Sequence, residues 1–198
     1  MKKILPIIGL MIAVGTAWAA VEIGQKASDF SLPDTQGKTH TLSQYKDKFV
    51  VLEWTNPDCP IVHKHYDSGN MQKLQKEYTA KGVVWLSIDS SAPGKQGNYP
   101  PAQLEQIMKS RNAAPTAILL DPSGSVGRQY DAKTTPDMYI INPKGDLIYD
   151  GAIDSIPSAD QSDIPNATNY VQAALDEAMA GKPVTTASTR PYGCSVHY

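Results

Sequence analysis

"KFVVLEWTNPDCPIVHKHY", Lys48 to Tyr66, changes pattern in its middle. The first half is a nearly continuous apolar, β-branched run, which predicts a strand buried on both faces. Asn56, Pro57 and Asp58 then signal a turn. Pro60 suits the first position of a helix. Beyond it Val62, Tyr66, Leu74 and Tyr78 recur at multiples of four, with Met71 beside Leu74. That spacing predicts one helix over 60–80, stopped by Gly82. Cys59 therefore falls between a buried strand and a helix start, which is a redox layout. Such sites commonly carry a second cysteine three positions on, where this chain has Val62.

Working outward, residues 23–48 are turn-rich and predict a small hairpin around "DTQGK". "VVWLSID" (83–89) and "TAILLD" (116–121) read as further strands. "PAQLEQIMKSRN" (101–112) and the short "SVGRQYDA" (125–132) read as helices. "DMYIIN" and "DLIYDGA" flank a "PKG" turn and predict an antiparallel hairpin. Residues 166–180 predict an amphipathic helix with Asn166 as its cap, stopped by Gly181 and Pro183. This order predicts an α/β fold with a mixed central sheet flanked by helices, an N-terminal extension and a C-terminal tail.

The N-terminus reads as a targeting segment. "MKK" is basic, "ILPIIGLMIAVGTA" is apolar but short, and "AWA" is a small-x-small cleavage site. The expected organisation is a signal peptide over 1–19, one domain over 20–182 and a tail over 183–198. The expected location is periplasmic or secreted, with no membrane span after signal removal. Without Lys2 and Lys3 the basic count falls from 18 to 16 against 20 acids, a net charge of −4. That balance excludes nucleic acid as an expected partner. The chain has only two cysteines, Cys59 and Cys194, and an even count in an exported protein favours a disulfide.

The opening "IGQKASDFSLPDTQGKTHTLSQYKDKFVVLEW" and the segment "TTPDMYIINPKGDLIYDG" resemble the redoxins of the thioredoxin fold. Within them the chain resembles the peroxiredoxin-like group of the alkyl hydroperoxide reductase/thiol-specific antioxidant proteins, in an exported bacterial form. The resemblance covers roughly residues 21–180. The active-site patterns depart from it. "CPIV" lacks the second thioredoxin cysteine, and Leu52 and Asn56 stand where peroxiredoxins carry Pro and Thr.

The resemblance implies an exported thiol-based oxidoreductase with an antioxidant role. Cys59 is the expected nucleophile, its thiolate favoured at a helix start. Inert half-cystine and buried free thiol are the alternatives. Cys194, in "RPYGCSVHY", is the expected resolving cysteine and disulfide partner, with an intermolecular bridge or a free tail thiol as alternatives. Glu53, six residues before Cys59, matches the buried acid that handles protons in thioredoxins. Pro136 matches the cis-proline of the fold, leaving the Thr135 backbone to pair with a substrate chain. Trp54 and Asn56 complete the expected substrate-binding set, Trp54 as core or pocket wall.

The expected partners are a protein or small-molecule disulfide or thiol, or a hydroperoxide, and an external thiol reductant. No cofactor is expected. A thiol peroxidase is one alternative function. A non-catalytic or metal-handling protein with a structural disulfide is another. For metal handling, Cys59, His63, Cys194 and His197 are the donor set. Otherwise His63 and His65 read as histidines on a polar helix face.

Overall fold

A strand buried at every position organises the molecule. The computed structural model describes residues 21–198. Residues 1–19, expected from sequence to be a signal peptide, lie outside the described residues. In chain order the elements are β1 (Ser31–Pro33), β2 (Thr39–Thr41), β3 (Val50–Trp54), α1 (Pro60–Asp67), α2 (Asn70–Ala80), β4 (Val84–Asp89), α3 (Pro101–Ser110) and β5 (Ala117–Leu120). Then follow α4 (Ser125–Gln129), β6 (Thr134–Thr135), β7 (Asp137–Ile141), β8 (Leu147–Gly151), α5 (Tyr170–Met179) and β9 (Cys194–Ser195). Among the described residues no helix is long and apolar enough to cross a membrane.

The central sheet has the order β5-β4-β3-β7-β8. β3 pairs parallel with β4 and antiparallel with β7, so the sheet is mixed. Its middle position explains the unbroken apolar run, because both faces are covered. Val51 joins a core built with α1, α2, α3 and α5. Val50, Leu52 and Trp54 face the other way, into a core closed by α4 and by Phe30, Leu32 and Leu42 of the N-terminal extension. The predicted hairpin around "DTQGK" forms between β1 and β2.

Two elements differ from the sequence expectation. The helix over 60–80 is two helices, broken at Ser68 and Gly69, where Gly69 takes a left-handed φ of 78°. The last helix starts at Tyr170 instead of 166. Its cap is Asn169, whose side chain accepts from the Gln172 N–H at 2.9 Å, and Asn166 ends a 3-10 turn (Gln161–Asn166). The tail is not loose. Its backbone pairs with Asp150 through Ala187 and Thr189 at 3.1 and 3.0 Å, and β9 adds to β6. Tyr198 then donates to the Ala132 carbonyl, with Arg128 stacked 4.5 Å over its ring.

Candidate active site

Cys59 is the N-cap of α1, and Pro60 fills the first helical position. The β3–α1 turn that delivers it is held from several sides. The Cys59 N–H donates to the Asn56 carbonyl at 3.1 Å. The Asn56 side chain accepts from the Asp58 N–H at 2.8 Å and donates to the Gln96 carbonyl at 3.1 Å. Arg111 donates to the Pro57 carbonyl at 2.7 Å. Asn56 thus spends its amide on the loop backbone. Asp58 is likewise engaged away from Cys59, accepting from Tyr99 at 2.9 Å and the Gly97 N–H at 3.1 Å.

The tail brings the second sulfur. Cys59 and Cys194 are joined as a disulfide, with Cα atoms 5.9 Å apart, within the ordinary range for such a bond. Cys59 is 1 % exposed, whereas Cys194 is partly exposed. β9 lies antiparallel to β6 with Cys194 opposite Thr135, and the Cys59 sulfur contacts the Thr135 carbonyl at 3.1 Å. The Thr135–Pro136 bond is cis. The backbone edge expected to be left for a substrate chain is therefore occupied by the protein's own tail.

Glu53 is fully buried on the α1 side of the sheet. Its Oε2 accepts from Trp85 at 2.7 Å, Ser87 at 2.8 Å and Gln75 at 3.1 Å, and its Oε1 accepts from Tyr66 at 2.9 Å. Burial pushes the carboxyl up, and the four donors pull it back; burial dominates. Tyr66 and Trp85 share their core cluster with Cys59 and Val62. Tyr66, Gln75, Trp85 and Ser87 are not among the site residues expected from sequence, where Tyr66 reads only as part of an apolar helix face. The signals were there: Tyr66 is two helical turns beyond Cys59, and Ser87 lies directly beside Glu53 in the parallel register.

Trp54 takes the opposite face. Its ring packs against Tyr130 and Tyr139 at 5.5 and 5.1 Å, and its indole N–H donates to Ser90 at 3.1 Å. This is the core alternative, since alternation along β3 turns Trp54 away from the side that holds Cys59. The polar-face reading of His65 is corrected as well. Lys64 and His65 are both buried, because the loop after β8 and the tail cover this side of α1. His63 remains partly exposed, 3.1 Å from Arg111 and 3.5 Å from Asp67. No cluster of three or more His, Cys, Asp or Glu suited to a metal ion occurs among the described residues. Both sulfurs of the donor set considered above are spent in the disulfide.

The AhpC/TSA family model matches residues 23–150, from the N-terminal extension into β8. The chain belongs to the AhpC/TSA family. Thioredoxin-like protein YneN of Bacillus subtilis is 29 % identical over 157 residues, 73 % of this chain and 86 % of that protein. Thiol-disulfide oxidoreductase ResA of Geobacillus kaustophilus is 29 % identical over 132 residues, 67 % of this chain and 70 % of that protein. Among solved structures, the hypothetical protein SMc02350 of Sinorhizobium meliloti superposes with a TM-score of 0.76 at 24 % identity, covering 91 % of this chain and 96 % of that one. The thioredoxin domain of a thiol-disulfide oxidoreductase from Bacteroides vulgatus gives 0.53 at 15 % identity, covering 74 % and 97 %. The AhpC/TSA chain described here has the thioredoxin-like fold, with its second cysteine carried on a tail outside the matched segment.

Proposed function

We propose that this protein is an exported thiol–disulfide oxidoreductase in which Cys59 is the nucleophile and the tail, residues 183–198, is a resolving arm. The observation that carries the reading is the docking of Cys194 against the N-cap cysteine of α1. The N–H groups of Ile61 and Val62 have no acceptor within α1 and favour a thiolate at Cys59. The Cys59 thiolate attacks a substrate disulfide and forms a mixed disulfide, and the substrate's other sulfur leaves. Cys194 gives up its proton and attacks the Cys59 sulfur, releasing the substrate as a thiolate and closing the Cys59–Cys194 bond. Glu53 in its ionised form takes up the proton, and burial strengthens it as a base by raising its affinity for that proton. An external thiol then reduces the protein. The similarity to ResA supports exchange. So does Asn56, whose amide is committed to Asp58 and Gln96 and is not directed at Cys59 for peroxide activation. The basic, apolar and Ala-Trp-Ala pattern of residues 1–19 supports export.

The test starts from reduced protein. Stoichiometric oxidised glutathione or hydrogen peroxide is added, the reaction is quenched in acid, and both cysteines are followed by mass spectrometry. Closure of Cys59–Cys194 should be faster with the disulfide. Faster closure with peroxide makes the protein a thiol peroxidase, and failure with both removes the thiol reading.

A further inference from the structure

Lys64, His65 and Asp154 form a buried polar cluster that thiol exchange does not require. Lys64 Nζ donates to the Ile156 carbonyl at 3.0 Å and stands 3.6 Å from Asp154 Oδ2. His65 Nε2 is 3.9 Å from the same oxygen, which has no hydrogen-bond partner. Burial holds the His65 imidazole down to about 4, so it is neutral at pH 7. Burying a lysine and an aspartate is costly unless other groups complete their hydrogen bonding. Asp154 Oδ1 accepts from the Ile156 N–H at 3.0 Å, and the side chain that adds a second donor there is Tyr192, two residues before Cys194. Its hydroxyl donates to Asp154 Oδ1 and lies 3.5 Å from His65 Nε2, and Lys64 Nζ sits 5.7 Å from its ring centre. Between the tyrosine and the cysteine, Gly193 has a φ of 147°, and a Cβ there would collide with the Thr135 carbonyl.

An extended segment that presents a sulfur to Cys59 by pairing antiparallel with the β6 edge, as this tail does, runs where this tail runs. The residue bonded to Cys59 then sits opposite Thr135, and the side chain two positions earlier falls at Asp154. An open groove of about 550 Å³ continues along the segment, bounded by Thr134, Asp154, Tyr170 and the tail. We propose that Lys64, His65 and Asp154 form a specificity pocket for extended polypeptides carrying Tyr-Gly-Cys, of which Tyr192 is the resident occupant. The partner is a protein whose cysteine, held in a disulfide, lies in such a segment. Cys59 attacks that cysteine's sulfur, the Cys59–partner disulfide forms, and the sulfur previously bonded to it leaves as a thiolate. The inference rests on the thiol–disulfide reading and names its substrate class.

The test uses the full-length Tyr192→Ala/Cys194→Ser chain, which empties the pocket and removes the competing thiol. The peptides Ala-Ala-Tyr-Gly-Cys-Ala-Ala and Ala-Ala-Ala-Gly-Cys-Ala-Ala are supplied as mixed disulfides with thionitrobenzoate. Release of the coloured thiol reports attack by Cys59. The tyrosine peptide should react at least about tenfold faster, as expected when a buried polar site is filled instead of left unpaired. Asp154→Asn added to the same chain should shrink that ratio. Because the two rates are measured separately on the same protein, a folding defect cannot mimic the preference. Equal rates overturn the pocket, as does reaction with 5,5′-dithiobis(2-nitrobenzoate) alone. If even that small disulfide fails to react, the thiol–disulfide reading falls, and the pocket with it.

Discussion

Glu53 accepts hydrogen bonds from four side chains, and no ion pair to it occurs among the described residues. Four donors around a carboxylate favour the anion, whereas full burial without a cation favours the acid; burial wins in direction. A group balanced in this way can change protonation as a thiol nearby is consumed or released. Glu53→Gln separates that role from packing. Its carbonyl oxygen can still accept from Trp85, Ser87 and Gln75, and its amide can face Tyr66. The chain should stay folded, while closure of the Cys59–Cys194 bond from a mixed disulfide slows by at least about tenfold at pH 7, the lower part of the range for general base catalysis. Stopped-flow closure rates across pH check this, and an unchanged pH profile makes Glu53 purely structural. Glu53→Ala should instead lower stability by about 3 kcal/mol or more in denaturant unfolding, because buried donors lose their acceptor. At this scale the sequence marked the acid and the thiol but not the donors, which come from another strand and two helices.

β7 carries a second titrating group at its start, beside the end of β3. Asp137 pairs with Trp54 across the β3–β7 ladder and accepts from the Lys133 N–H at 3.0 Å. Burial, with the charges of Asp150 and Asp131, pushes its carboxyl up to about 7 from 3.8. The folded state therefore keeps the Asp137 proton up to about pH 7, while the unfolded chain loses it near 3.8. Between those values the folded state binds more protons, so this group makes stability fall as pH rises. His65 acts in the opposite direction. Its pKa is about 4 when folded and 6.5 when exposed, so stability falls as pH drops through that window. Comparing wild type with Asp137→Asn cancels the histidine. The asparagine oxygen can still accept from Lys133, and the variant should gain on wild type between pH 4 and 7 by up to about 4 kcal/mol, at ~1.4 kcal/mol per pH. Urea unfolding at pH 4, 5.5 and 7 measures it, and parallel curves refute the assignment. The strands around Asp137 were legible because burial on two faces demands an apolar run. The break at Gly69 was not, because Met71, Leu74 and Tyr78 resume after it with similar spacing. The true cap, Asn169, lies three residues beyond the asparagine that the pattern favoured.

Over the whole molecule, the tail is the least legible part and the one that couples chemistry to stability. β9 is two residues long, and its pairing with Thr134 and Thr135 is fixed by docking, which leaves no periodicity to read. Tyr192 and Asp154 are likewise 38 positions apart. The Cys59–Cys194 bond spans a sequence separation of 135. In the chain-entropy model, closing a loop of that length in the unfolded chain stabilises the fold by about 5 kcal/mol. For a chain of this size that corresponds to roughly 10–20 °C in Tm. The reduced protein, and the Cys59→Ser/Cys194→Ser variant without reductant, should therefore both melt well below the oxidised protein and close to each other. Reduction should also leave the double variant unchanged. The release should be local before it is global. Ala187 and Thr189 on Asp150, then β9, Tyr192 and Tyr198, hold the tail at separate points, whereas β3 and β4 lie in the doubly covered sheet. Hydrogen exchange on the reduced protein should accelerate first at residues 187–198 and leave 50–54 and 84–89 protected. If the tail keeps its protection after reduction, Cys194 stays beside Cys59 throughout the cycle, and a partner chain has no access to the Thr135 edge.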